Sequence, residues 1–452
     1  MEGTAINSLK KKDLLTLGFM MFSIYFGAGN LIFPPALGQA AGDHTLLAML
    51  GFMTTGIGLP LLGITAIALA GGEYVPLLRA KTWPMFATAL LVILYLIIGP
   101  LFAMPRTGAV SFEIGIRPFL SADNLALGQI IYTAIFFASS YYLALNPNKI
   151  IDRVGRMLTP ALLIVLLILF VQAFHAPLGA ILPATGAYID APFAQGFQDG
   201  YQTMDLLASI AIGALVANAV RMRGITDSRA VGAACLVSGL ITVMLMAAVY
   251  GSLAYIGATS TSILGQAENG GQILSAAVGI FFGSAGNLLL AVIIGLACLT
   301  TCCGITSSAA MFFNKLLKGR ISYERLLLFS IMFSFAASNV GLTQIIALAI
   351  PFLVTIYPLI IVFVILSLFD RFIGWRKSIY QGAMTLTLVF SLIDGLHAAG
   401  LSSEPVHALL VAYIPFYNIM MGWVCPAVIG ALVGLAVSFF QTAPAAAKES
   451  QV

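Results

Sequence analysis

Charge is what this sequence lacks. Lysine, arginine, aspartate and glutamate together supply 8% of its 452 residues, about a third of what a soluble globular domain carries. That scarcity excludes an ordinary water-soluble enzyme or binding module. Histidine is limited to four residues, His44, His175, His397 and His407, which fall at the ends of apolar stretches, and the acids are isolated. Convergent nucleophiles, acid–base pairs or metal ligands at membrane depth are therefore missing, which argues against a membrane enzyme. The five cysteines (Cys235, Cys298, Cys302, Cys303, Cys425) lie inside apolar stretches, so they are not an extracellular disulfide framework. Cys298 and Cys302 are one helical turn apart, but no histidine or acid accompanies them, and they read as small buried residues. No small-residue cleavage site closes the first apolar run, so Lys10, Lys11 and Lys12 precede a retained first helix rather than a secretory signal.

What the chain has instead is apolar sequence, 60% hydrophobic overall, in repeated stretches of at least ~18 residues. This is an all-α polytopic membrane protein. Twelve segments are expected, at about 14–38, 45–70, 84–114, 128–145, 154–174, 196–221, 229–256, 284–314, 322–339, 341–368, 378–399 and 407–439. Twelve crossings put both termini on one side. With the N-terminus in the cytoplasm, 19 of the 21 basic residues fall inside. They are Lys10–Lys12, Arg79, Lys81, Lys149, Arg153, Arg156, Arg221, Arg223, Arg229, Lys315, Lys318, Arg320, Arg325, Arg371, Arg376, Lys377 and Lys448. This is the bias of the positive-inside rule. Arg106 and Arg117 are the exceptions, and all four histidines fall outside. Charge-poor outer loops give no surface for nucleic acid. No appended soluble domain is expected, and residues 1–452 are read as one membrane domain, with the lipid bilayer as its environment and no obligate protein partner expected. A channel would show pore-lining rings, which twelve unlike segments do not supply.

Three segments depart from plain apolar filler. The first carries "FGAGNLIFPP" (26–35): glycines that let backbone open or approach, and Pro34 and Pro35, which remove two N–H donors. Opened backbone at membrane depth is tolerated only where protein or a water-filled cavity covers it. Tight helix packing at Gly27 and Gly29 is the plainer reading, but it needs neither Asn30 nor the proline pair. The prolines are expected to restart the chain as the outgoing half-helix. The sixth segment begins "QDGYQTMDLL" (198–207), a polar cluster that includes an intramembrane carboxylate, Asp205. Its plainer reading starts the helix near Leu206, with Asp205 as a cap at the membrane surface. Four intact segments separate the two, the spacing of a five-plus-five inverted repeat, and matching interruptions in two halves point to a transporter's binding site. The eighth, "LACLTTCCGITSSAAMFF" (296–313), lines up hydroxyls along one helix. At Thr306, Ser307 and Ser308 these read equally as bonding back to their own backbone.

The stretches "FMMFSIYFGAGNLIFPPALGQAAG" (19–42), "GPLFAMPRTGAVSFEIGI" (99–116) and "GYQTMDLLASIAIG" (200–213) resemble the bacterial branched-chain amino acid:cation symporter family. The resemblance covers essentially all twelve segments. That family is similar in fold to the amino acid–polyamine–organocation superfamily, the LeuT type, with two inverted five-helix repeats, helices one and six broken, and two extra C-terminal helices. The implied limits are repeat one at about 14–174, repeat two at about 196–368, extra helices at about 378–439, and short cytoplasmic tails 1–13 and 440–452. The resemblance implies import of leucine, isoleucine and valine across the bacterial inner membrane, coupled to Na⁺, with no organic cofactor. The alternatives are an H⁺-coupled carrier of the same family, or a superfamily relative carrying another small neutral amino acid.

The superfamily's Gly-x-Gly-Asn motif matches Gly27, Ala28, Gly29 and Asn30. By that match the N–H groups of Ala28 and Gly29 receive the substrate carboxylate, with Asn30 beside them. The carbonyl of Tyr25 and the opened backbone at Tyr201, Gln202 and Thr203 take the ammonium. For Asp205 three roles stand open: binding the ammonium, tuning the cation site, or accepting a coupling proton. The shared Na⁺ site maps to the carbonyls of Ser23, Phe26 and Ala297 and the hydroxyls of Thr300 and Thr301. Ile24 stands where the leucine-transporter type has an asparagine of a second Na⁺ site, so one coupling cation is expected. Leu31, Ile32 and Phe33 occupy the neighbourhood of that type's gating arginine. Arg106 is the substitute, guarding the outer vestibule or assisting carboxylate binding, with Glu113 two turns later on about the same helical face; the other reading has Arg106 snorkelling to the interface. Tyr95, Ile98, Tyr201, Met204 and Leu207 are expected as side-chain walls. A methylene is worth only ~1–3 kcal/mol in an apolar pocket, so such walls admit all three branched-chain residues.

Overall fold

The computed structural model describes residues 11–72, 74–145, 147–225, 227–374, 376–401 and 404–440. Residues 1–10 and 441–452 of the expected tails, with Lys10 and Lys448, lie outside these, as do the side chains of Lys149, Arg153, Arg156 and Arg371. Among the described residues every regular element is helical. The first segment is two helices, α1 (Lys11–Tyr25) and α2 (Ala28–Ala41), separated by Phe26 and Gly27. Their 15 and 14 residues rise 1.5 Å each, so neither half alone spans a hydrocarbon core of ~30 Å. The second is α3 (Thr45–Met53), a π turn at Thr54–Gly58, and α4 (Leu59–Leu69); α5 (Tyr74–Lys81) follows. The third is α6 (Pro84–Leu96) and α7 (Ala103–Gly115), joined by a second π turn at Ile97–Leu101 in which Gly99 leaves helical geometry.

Next come α8 (Leu125–Ala144) and α9 (Pro147–His175). The sixth segment is α10 (Pro192–Asp199), a 3-10 turn at Gly200–Thr203, and α11 (Asp205–Arg221), bent by 48°. Then follow α12 (Ser228–Leu264), α13 (Gly270–Leu316, turning at Gly283 with φ +64°), α14 (Tyr323–Ser338), α15 (Leu342–Leu368), α16 (Asp370–Ile373) and α17 (Lys377–Ala398). Among the described residues, seven spans are long and apolar enough to cross a membrane, or eight with the bent pair α10–α11 counted as one.

Two expectations change. Stretch 407–439 is not one helix but α18 (Glu404–Tyr413) and α19 (Val424–Phe440). Pro415 withdraws a donor, and Phe416 and Met420 take left-handed backbone, with φ 65° and 54°, which ends the helix there. Nor do Pro34 and Pro35 restart the first segment. Both lie inside α2, which restarts at Ala28. Their missing N–H groups leave the carbonyls of Asn30 and Leu31 without their partners one turn on.

The bundle closes through glycines where backbones touch. A Cβ on Gly38 would lie 1.9 Å from the carbonyl oxygen of Ala254, and one on Gly257 2.0 Å from that of Pro35, so α2 lies backbone to backbone on α12. Gly196 and Gly51 do the same between α10 and α3, and α17 and α19 meet at Gly382 and Gly430. Small residues permit this approach where no hydrophobic drive separates helix from lipid.

At the expected cytoplasmic side, Lys81 at the end of α5 donates to both carboxylate oxygens of Asp370, at 2.7 and 2.8 Å. Tyr380 donates to the same carboxylate at 2.9 Å, and both charged side chains are under 10% exposed. Removing one member strands the other charge in a dry site, which costs about 3–5 kcal/mol. Asp370→Asn is therefore expected to lower the thermal midpoint of detergent-purified protein clearly. A cost under about 1 kcal/mol, as for an exposed pair, would contradict this.

Candidate functional site

The two breaks meet. Helical bonding in the first segment runs through Phe26, whose N–H reaches the Phe22 carbonyl at 2.8 Å, and stops at Gly27. The Gly27 N–H turns to the Asn30 side chain, donating to Oδ1 at 3.2 Å. The first turn of α2, at Ala28 and Gly29, then presents N–H groups without intrahelical acceptors, at the positive end of the helix dipole. In the sixth segment the 3-10 turn ends at Met204, a non-glycine residue in the left-handed region with φ 63°. Held there by burial at 3% exposure, Met204 separates the axes of α10 and α11. The Asp205 N–H caps onto Thr203 Oγ1 at 3.4 Å, and Thr203 Oγ1 donates to the Gly200 carbonyl at 2.9 Å.

A buried acid and a buried base lie at this crossing. Asp205 is 4% exposed, so it is not a cap at the membrane surface. Asn30 Nδ2 donates to its Oδ2 at 2.7 Å and to the Tyr250 hydroxyl at 2.5 Å, and Tyr250 donates to Asp205 Oδ2 at 3.5 Å. Arg106 on α7 is 5% exposed and does not snorkel. Its Nη1 donates to the Gln202 carbonyl at 2.5 Å. Its Nη2 sits where a Cβ on Gly29 would be, 2.8 Å away, so the glycine makes room for the guanidinium, which also lies 5.2 Å from the Phe33 ring centroid. Arg106 thus bridges the two broken segments. Its Nε, with Gln202 Oε1 and the Tyr201 hydroxyl, is buried without a partner among the described residues. Such atoms are costly unless something arrives to pair with them.

Glu113 is elsewhere. It accepts from Arg117 at 2.7 Å, Gln272 at 2.9 Å and Asn269 at 3.3 Å, fastening the end of α7 to the start of α13, and Arg106 is not among these partners. Tyr25, buried beside the break, donates to the Pro60 carbonyl at 3.3 Å. Ile98, Tyr201, Met204 and Leu207 are buried in one apolar cluster, with Tyr95 packed against it. Tyr201 stacks on Tyr357 with ring centroids 4.3 Å apart. Above them a cavity of about 310 Å³ opens between α10, α15 and the end of α17, lined by Gln198, Asp199, Tyr201, Gln202, Leu353 and His397.

On the other flank the break faces α13. A Cβ on Gly27 would lie 3.4 Å from Thr301 Cγ2 and 3.7 Å from its Oγ1. Thr300 Oγ1 donates to the Ala297 carbonyl at 3.0 Å, which joins two of the expected cation ligands. Ser23 and Phe26 end the α1 side of the same break. Further along α13, Thr306 and Ser308 bond back to the carbonyls of Cys302 and Gly304, at 2.6 and 2.9 Å. Ser307 Oγ is buried without a partner among the described residues. Sequence reasoning missed two participants. Tyr250 lies in a uniform apolar run and carries no local signal. The π turn at Thr54–Gly58, spelled by "TTGIG", packs Gly56 against Thr203 and Tyr250; π turns often mark functional sites.

A helical membrane bundle with two segments broken at one level, and a buried acid and a buried base at the breaks, is built as a transporter and not as an enzyme. Solved structures share the fold. Mhp1, a nucleobase-cation-symport-1 family transporter in a closed conformation with bromovinylhydantoin bound, aligns over 94% of this chain and 92% of its own, with TM-score 0.60 and 14% identity. MhsT in complex with L-phenylalanine aligns over 94% and 98%, with TM-score 0.50 and 17% identity. The chain belongs to the branched-chain amino acid transport protein family, which it matches over residues 10–441. It is 46% identical to branched-chain amino acid permease BraB of Bacillus subtilis over 96% of this chain and 97% of that one. It is 44% identical to branched-chain amino acid transport system 2 carrier protein of Pseudomonas aeruginosa, over 92% and 94%. With permease BrnQ of Escherichia coli K12 the identity is 38%, over 94% and 95%.

Proposed function

We propose that this protein imports leucine, isoleucine and valine across the bacterial inner membrane by alternating access, coupled to one Na⁺. The observation that carries the reading is that two buried ionisable side chains meet the same opened backbone, Arg106 beside Gly29 and Asp205 at Asn30. A zwitterionic head group has one charge for each. The carboxylate lies at the first turn of α2, against the N–H groups of Ala28 and Gly29, with the Arg106 guanidinium beside it. The ammonium lies at Asp205 and the Tyr25 carbonyl, and the side chain enters the cluster of Ile98, Tyr201, Met204 and Leu207. Binding draws Arg106 from the Gln202 carbonyl towards the substrate, freeing that carbonyl for the ammonium. The cavity above Tyr201 is the outer approach.

The twelve-crossing, five-plus-five reading is supported by a symmetry of packing. Both halves of the first segment, α1 and α2, pack on α12 of the seventh, and α10 and α11 of the sixth pack on α3 and α4 of the second. An inverted repeat exchanges one with six and seven with two. In this reading the repeats cover 14–174 and 196–368, the extra helices 378–439, and both termini are cytoplasmic.

Na⁺ binds at the carbonyls of Ser23, Phe26 and Ala297 and the hydroxyls of Thr300 and Thr301, all neutral hard oxygens. Thr300→Ala with Thr301→Ala is expected to raise the half-saturating Na⁺ concentration about tenfold or more, tenfold being ~1.4 kcal/mol of ion binding. Ser307→Ala with Ser308→Ala is expected to leave it within about twofold. Equal shifts in both pairs would remove the assignment. A second coupling reading, in which Asp205 accepts a proton, is favoured by the burial of that carboxylate. Purified protein in liposomes distinguishes them. An imposed Na⁺ gradient is expected to drive labelled leucine uptake, and preloaded leucine to accelerate it by counterflow. Uptake driven by a proton gradient alone would transfer the coupling to Asp205.

A further inference from the structure

The hydrogen bonds that Asn30 and Tyr250 make at Asp205 have a determined direction. Asn30 Oδ1 accepts the Gly27 N–H at 3.2 Å, so its Nδ2 faces the carboxylate and the tyrosine. Nδ2 gives one proton to Asp205 Oδ2 and the other to the Tyr250 oxygen. A phenol oxygen that has accepted a proton still has one to give, and it points at Asp205 Oδ2, 3.5 Å away. Oδ2 is thereby occupied by two donors from two different helices. A proton cannot be added in that corner without breaking one of them. The Thr203 hydroxyl beside the carboxylate gives its proton to the Gly200 carbonyl, and neither Asn30 nor Tyr250 donates to Oδ1.

We infer that Tyr250 is a positioning residue: with Asn30 it reserves Oδ2 and leaves Oδ1 as the single oxygen at which a proton and the substrate's ammonium exclude each other. This rests on the reading of Asp205 as the ammonium site. Its consequence is that leucine binding expels a proton from Asp205 wherever one is present, so that acid pH competes with substrate rather than slowing turnover. The charged and titratable groups that face Asp205 are Arg106 on α7, Tyr250 on α12, Tyr25 on α1 and Tyr357 on α15. The three tyrosines are neutral at physiological pH and Arg106 is cationic throughout, which leaves Asp205 as the group whose charge changes.

Tyr250→Phe removes one oxygen and keeps the ring that packs edge-on against Phe52, with centroids 5.3 Å apart. A lost donor to a charged group favours the protonated carboxyl. In proteoliposomes at neutral pH the KM for leucine is expected to rise about tenfold, within the range for a hydrogen bond to a charged group. The maximal rate stays within about twofold. The acid limb of KM against pH moves to higher pH. An unchanged KM and unchanged pH limb would overturn the inference, as would a fall in maximal rate alone. Asp205→Asn run alongside separates the two levels. If it retains the wild-type KM, the ammonium reading itself fails; if it loses leucine while Tyr250→Phe shifts nothing, only the role of Tyr250 fails. Should Tyr250→Phe not assemble, infrared difference spectra of the wild-type protein carry the test. At acid pH, leucine is expected to abolish a carboxyl band that is missing in Asp205→Asn. Persistence of that band with leucine bound would overturn the inference.

Discussion

Leucine uptake is expected to fall about a hundredfold or more when Asp205 is replaced by asparagine, with the protein still assembled in the membrane. The substitution is nearly isosteric. An asparagine oxygen can still accept from Asn30 and Tyr250, whose bonds at 2.7 and 3.5 Å hold the two broken segments and α12 together. What disappears is the negative charge. In the proposed function its partner, the ammonium, is then buried without a counter-charge, and truncating one member of a buried hydrogen-bonded charge pair costs about 2–5 kcal/mol. Arg106 makes the loss worse, because the site keeps a positive charge that repels the ammonium once Asp205 no longer balances it. The measurement is labelled leucine uptake normalised to membrane-inserted protein. Retention of uptake within about threefold would mean that the carboxylate does not meet the substrate.

The second large effect is on assembly. Gly38→Ala is expected to eliminate most correctly assembled protein, although alanine is the better helix former. The added methyl would lie 1.9 Å from the Ala254 carbonyl oxygen and 2.7 Å from its carbon, both backbone atoms of α12. No side chain can move aside, so α2 and α12 must separate by more than an ångström along a contact that also includes Gly257 against Pro35. Overpacking of this kind costs about 1–3 kcal/mol where side chains can yield, and more where they cannot. Because α2 carries the first-turn N–H groups and Asn30, the displacement also opens the site. Gly304→Ala is the control: it lies in α13 with nothing within 4 Å of its added carbon, and it is expected to behave as wild type. Size-exclusion profiles of detergent extracts report both variants. Equal monodisperse yield for Gly38→Ala would show that the two helices are not in backbone contact.

The breaks were legible because their cause is local. "FGAG" and "GYQTMD" place backbone-loosening and polar residues inside apolar sequence, and the chain opens at Phe26–Gly27 and Met204 accordingly. Pro34 and Pro35 misled about where the second half-helix starts. A proline fixes its own φ and withdraws a donor without ending a helix, and both prolines lie inside α2, where Pro35 packs against Gly257 of α12. The interruption of α-helix at 414–423, which holds only a 3-10 turn at Tyr417–Ile419, has ordinary local signals, Pro415 and Gly422, which a count of apolar residues passes over. Arg106 and Glu113 share a helical face in sequence, but a long guanidinium reaches sideways to Gln202 whereas Glu113 is taken by Asn269 and Gln272. Tyr250 had no signature at all. Its contacts come from what stands opposite it across the bundle, Asn30 and Asp205, and that is a property of the fold.

In the proposed function both ends of the amino-acid head group are recognised at the crossing of the two breaks, which competition tests most directly. Labelled leucine bound to the purified protein in Na⁺ is displaced by unlabelled head-group variants. Valine and isoleucine are expected to compete with leucine, since they share its head group and differ by a methylene or its placement. Leucinamide, which lacks the carboxylate for Arg106 and the α2 N–H groups, is expected to compete at least a hundredfold more weakly. The same is expected of 4-methyl-2-oxopentanoate, which lacks the ammonium for Asp205. Displacement by either analogue at concentrations close to those of leucine would contradict the account.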